Sequence, residues 1–114
     1  DPLLALVVAG ILGRGAWTLL RDSGHILLEG VPPGIDLPRV ADVLAHEVPD
    51  VIEIHHVHAW ALTAEKPLLT LHATIRPEAD LERVMAAIKR TLHEYFGIDH
   101  STVQVEHGSC PDDH

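Results

Sequence analysis

From Leu68 to Arg76 the chain alternates apolar and polar without a break. Leu69, Leu71, Ala73 and Ile75 share one parity, and Thr70, His72 and Thr74 share the other. Successive strand side chains point to opposite faces, so this pattern describes a half-buried strand with one face turned to a core. Before it, Thr63-Ala64-Glu65-Lys66-Pro67 reads as a turn. Val51 to Leu62, β-branched and bounded by Pro49-Asp50, reads as a second, longer strand. A strand with one dry face requires other elements to cover that face.

Those elements are legible on either side. Asp36 can cap a helix with Pro38 in its first turn, and Val40, Val43, Leu44 and Val48 follow at helical spacing before Pro49 stops it. Asp80 can cap another, with Leu81, Val84, Met85, Ile88, Leu92 and Tyr95-Phe96 on one stripe and Gly97 past its end. Ser101 to Glu106 is a last short strand, with Val103 and Val105 inward and Thr102, Gln104 and Glu106 outward. The order α-β-β-α-β predicts an α+β domain, a three-stranded sheet with helices on one face. The tail from His107 to His114 is polar and is expected to fray.

Ahead of this unit, Pro2 to Gly13 is uncharged and mostly apolar, and after Arg14 the pattern resumes to Leu20. Asp1 as a cap and Pro2 in the first turn favour a helix, assigned to residues 1–24. Its length lies between the roughly 20 apolar residues of a spanning helix and the shorter run of an interfacial one, so both readings stand. A basic leader and a small-residue cleavage site are missing, which argues against a signal peptide.

The polar parity of the strands carries the chemistry. The chain has ten histidines, three of them in Ile54-His55-His56-Val57-His58-Ala59-Trp60. If Ile52 and Ile54 face the core, Glu53 and His55 face outward. The second strand then adds His72 to that face and the third adds Glu106. Two imidazoles and a carboxylate form a zinc-type ligand set with a position left for water or another residue. Strict alternation would send His56 and His58 into the core, whereas a β-bulge near His55-His56 would return one or both to the surface. His107, like His100, flanks the last strand and could complete the site. His25, His46, His93, His100 and His114 each sit alone and read as surface residues, and Trp60 as a packing or interface residue.

Seventeen acidic residues against eight basic ones give a formal charge of −9, which suits a cation and argues against nucleic acid. The single cysteine, Cys110, permits no internal disulfide and reads as an ordinary tail residue, with a ligand role in its acidic, His-flanked setting as the alternative. No Gly-rich phosphate loop, Gly-x-Ser-x-Gly elbow or His-Glu-x-x-His helix occurs, so no enzyme is expected.

Leu27-Leu28-Glu29-Gly30-Val31-Pro32, the strand carrying His55, His58 and Trp60, the Leu71-His72 strand and Thr102-Val103-Gln104-Val105-Glu106 together resemble the C-terminal domain of cation diffusion facilitator transporters. Asp1-Pro2 and the apolar run after it resemble part of that family's last transmembrane helix. The resemblance implies a ferredoxin-like, metallochaperone-like αββαβ domain over residues 25–107, followed by a polar tail, 108–114. It further implies a homodimer at the cytoplasmic face of a membrane, binding Zn²⁺ or another divalent ion (Co²⁺, Cd²⁺, Mn²⁺ or Fe²⁺) near the dimer interface. The family's ligands correspond to His55, His72 and positions at or near Glu106 and His107. Many members carry Asp where this chain has His56. The implied role is the metal-sensing, regulatory end of a cation efflux protein, or a stand-alone form of it. The alternatives from other classes are a soluble metal-buffering or delivery protein and a purely structural dimerisation module.

Overall fold

The computed structural model describes residues 1–112; the reading of His114 lies outside the described residues. Six elements follow in the order α1 (Pro2–Leu27), α2 (Leu37–Glu47), β1 (Val51–Thr63), β2 (Lys66–Ile75), α3 (Leu81–Phe96) and β3 (His100–Glu106). The helix starts are those the sequence marks. Asp1 accepts from the amide of Leu3, Asp36 from Arg39, and Asp80 from both Glu82 and Arg83. Each cap satisfies an amide that the helix itself leaves without a partner. Gly97 ends α3 at φ 66°, in the left-handed region that a Cβ disfavours.

The strands form one sheet in the order β1-β2-β3. β1 and β2 pair antiparallel through the turn at residues 64–65, whereas β2 and β3 pair parallel, with α3 as the crossover between them. The alternating strand is therefore central. Its Leu69, Leu71, Ala73 and Ile75 are buried with Val40, Leu44 and Val48 of the α2 segment, Val84, Ile88 and Leu92 of α3, and Ile98. Both α2 and α3 thus cover one face, and the opposite face keeps the polar parity.

Three expectations need correction. Ile52 is 59% exposed, because the β1–β2 register slips between Val51 and Glu53 and turns Val51 inward instead. Leu81 and Tyr95 also lie outside the buried stripe of α3, each at least half exposed at a helix end. The N-terminal helix continues past residue 24 to Leu27, and no residue in it is buried.

Candidate metal centre

The polar face is shaped by an irregularity in β1. His55 pairs with His72 and His58 with Thr70, so His56 and Val57 together oppose Leu71 alone. His56 carries the turn at φ 50°, a left-handed conformation that is uncommon outside glycine. This bulge resolves the conflict in the sequence. Val57, Ala59 and Ala61 turn toward the core, while His55, His56 and His58 all stay on the polar side.

Register then assembles the cluster. His55 lies opposite His72 across the antiparallel pair, and Thr74 opposite Glu106 across the parallel one. The carboxylate of Glu106 sits between the two imidazoles, with Oε2 3.2 Å from His55 Nε2 and Oε1 3.0 Å from His72 Nδ1. The group is largely dry: the side chain of Glu106 is 5% exposed, that of His55 17% and that of His72 16%. His56 joins the rim, its ring centroid 4.9 Å from that of His72.

Cys110 enters the same cluster. Its Sγ is 3.5 Å from His72 Nδ1 and 3.5 Å from Glu106 Oε1, and the residue is buried. The expectation of an ordinary frayed tail residue is therefore wrong for Cys110. Gly108, at φ 108°, lets the chain double back after β3. Asp112 follows, its Oδ2 3.9 Å from His72 Nε2. Among the described residues two donor groups result: His55, His72, Glu106 and Cys110 in the interior, and His56, His72, Cys110 and Asp112 toward solvent, each with donor atoms within 4.8 Å of one another. His58 and His107, both exposed, belong to neither group among the described residues.

Burial would push the Glu106 carboxyl up. The Gln104 amide at 2.9 Å, the Cys110 thiol and the charges of His72 and His55 oppose it, and the net shift is downward, toward the ionised form. An ionised carboxylate suits a cation. More telling, both ring nitrogens of His55 and the Oε2 of Glu106 are buried without a hydrogen bond among the described residues. His55 Nε2 and Glu106 Oε2 are close, but the pair lacks hydrogen-bond alignment. Buried polar atoms normally find partners, and such donors left facing one another fit an ion between them. Ligands 2.0–2.3 Å from a tetrahedral zinc stand about 3.3–3.8 Å apart, close to the separations seen here. The donor chemistry and spacing therefore fit a divalent metal.

An α+β domain with a paired-histidine, acid-lined polar face has the donor chemistry of a divalent-metal site, and comparison with known proteins gives it a family. The family described as the cytoplasmic domain of cation efflux proteins matches residues 32–108. The chain is 39% identical over 114 residues to the zinc transporter ZitB of Pectobacterium atrosepticum, covering 100% of this chain and 35% of that protein. It is 36% identical over 115 residues to the metal cation efflux system protein CzcD of Cupriavidus metallidurans, covering 96% and 35%. Among solved structures, the metal-bound C-terminal domain of the CzcD transporter superposes with a TM-score of 0.58 at 34% identity, covering 63% of this chain and 99% of that one. The zinc form of CzrB, at 23% identity and TM-score 0.57 over 69% and 91% of the two chains, shares the fold. The chain belongs to the cation diffusion facilitator family of cation efflux proteins, and its sheet and two covering helices are the metallochaperone-like domain of that family. It spans about a third of the length of these curated relatives.

Proposed function

We propose that this chain is the divalent-metal-binding, homodimeric sensing domain of a cation diffusion facilitator-type efflux protein, at the cytoplasmic face of a membrane, with zinc as its ion. The observation that carries the reading is the buried convergence of His55, His72 and Glu106, in which, among the described residues, both ring nitrogens of His55 and the Oε2 of Glu106 lack hydrogen bonds. His55 would offer Nε2, His72 Nδ1 and Glu106 its carboxylate. His56 stands at the solvent side of the same centre, while His58 and His107 take no part within one protomer. Bound zinc supplies two positive charges where the chain otherwise places an ionised carboxylate.

The chain's own residues explain how occupancy could be read out. With a formal charge of −9, two copies repel where acidic surfaces meet, and neutralising one centre per copy lowers that repulsion. An ion shifts the angle between protomers only by its affinity difference for the two arrangements. The ligands come from β1, β2 and the end of β3, so occupancy ties all three strands together at one point.

The α1 helix supports attachment to a membrane part. No residue in it is buried, and its 26 residues are long and apolar enough to cross a membrane. At 1.5 Å per residue it would extend about 39 Å, against a hydrocarbon core of about 30 Å. Arg14, within this run, would have to face other protein segments and not lipid.

Zinc titration by calorimetry on the full chain in detergent tests the site. Binding by the wild type and its loss in His72→Ala is the expected result. Wild-type protein that takes up no zinc at micromolar concentration would remove the reading. Sedimentation with zinc and with chelator tests dimer formation separately.

A further inference from the structure

Resting on the metal-binding reading above, we propose that Cys110 is a fourth ligand of the inner centre, and that its sulfur favours zinc over harder ions such as Mn²⁺.

The cysteine is placed to serve. The segment after β3 is otherwise exposed at His107, Gly108 and Ser109, yet Cys110 is buried to 8% exposure. Gly108 supplies the left-handed turn, and the chain returns so that Sγ meets His72 Nδ1 and Glu106 Oε1 at 3.5 Å each. Those separations are tetrahedron edges for zinc with one sulfur and several lighter ligands, for which about 3.3–3.8 Å is expected.

A second observation points to the same space. Among the described residues, the nitrogens of His55 and the Oε2 of Glu106 lack hydrogen bonds, and the Glu106 side chain is 95% buried, given its 5% exposure. His55, His72 and Glu106 make three donors, and Cys110 makes a fourth within 4.8 Å of all of them. Four protein ligands close a tetrahedral site, whereas three leave a position open to water.

Sulfur changes what the site selects. Nitrogen and oxygen donors alone serve Mn²⁺ and Fe²⁺ along with zinc, while a thiolate favours the softer ions. On binding, the thiol loses its proton to solvent and the sulfur lone pair goes to the metal. The turn at Gly108 thereby couples occupancy to the position of the segment 107–112.

Cobalt and zinc titrations of the full chain in detergent separate the outcomes, using wild type, Cys110→Ser and His72→Ala. Wild type with Co²⁺ is expected to show a thiolate-to-cobalt charge-transfer band in the near ultraviolet, which Cys110→Ser loses while still binding. Zinc affinity in Cys110→Ser should fall at least ~10-fold, a loss typical even of outer partners of a ligand. Its zinc-over-manganese preference should shrink by a similar factor. Should Cys110→Ser fail to fold, alkylation of wild-type Cys110 by iodoacetamide decides instead: zinc should suppress it relative to chelator-treated protein. Cobalt binding without the charge-transfer band, or equal alkylation with and without zinc, overturns the role of Cys110 and leaves the His-Glu site standing. Absence of any metal binding overturns both.

Discussion

Removing the His72 imidazole tests the centre most directly, because this side chain belongs to both the inner and the outer donor group. It also touches Glu106 at 3.0 Å and Cys110 at 3.5 Å, so no neighbour can replace it without moving. The effect is best read as zinc-induced stabilisation. With free zinc at 100 times the wild-type Kd, binding stabilises the folded state by about 2.7 kcal/mol. In a domain of this size each kcal/mol moves Tm by roughly 4–8 °C, so the wild-type shift should be about 11–22 °C. If His72→Ala raises Kd about 100-fold, the same zinc concentration gives only about 0.4 kcal/mol. That corresponds to roughly 2–3 °C. Differential scanning calorimetry of the full chain in detergent, run with zinc and with chelator, reads both values. His58→Ala is the control: His58 is exposed and outside both donor groups, so its zinc shift should equal that of the wild type. A wild-type-sized shift in His72→Ala, or its equal loss in His58→Ala, would refute the placement of the ion.

Leu71→Ala, in the centre of the sheet and 1% exposed, should cost about 2–5 kcal/mol in urea denaturation of the metal-free protein. A cost below 1 kcal/mol would mean the core is packed elsewhere. His56→Val places a β-branched residue at φ 50° and should destabilise by about 1–3 kcal/mol, whereas His56→Gly should be tolerated. Equal stability of the two variants would deny the bulge. The Glu106 carboxyl lies below its ordinary value of 4.5 in the folded state. It therefore contributes stability to the metal-free protein above that pH, lost as pH falls through the folded-state value. Denaturation midpoints from pH 7 to pH 3 should show that loss in wild type and less of it in Glu106→Gln.

Much of this arrangement was legible in local chemistry. The alternation at 68–76 fixed which side of β2 is dry, and Asp36, Asp80 and Gly97 marked helix ends because caps act within one turn. His55, His72 and Glu106 could be brought together on paper because strand parity needs only counting. Counting fails where the ladder slips. Nothing local at Ile52 distinguishes it from Ile54, and only the pairing with β2 shows that Val51 is the inward residue. The position of Cys110 depends on a reversal at Gly108, a signal visible as a glycine in a polar tail but without a stated destination. Leu81 and Tyr95 obey helical spacing yet sit at the two ends of α3, where the sheet beneath no longer reaches them.

The surplus residue in β1 has a consequence for how this surface can change. Were His56 omitted, Ile54, Val57 and Ala59 would still point inward and His55 and His58 outward, as an ordinary strand demands. The hydrophobic interior therefore has no stake in which side chain occupies that position, apart from tolerance of its backbone angle. Such a site is an adjustable dial set into a rigid plate: an imidazole, a carboxylate or a neutral group can be tried there at the rim of the metal centre while the folded framework stays as it is.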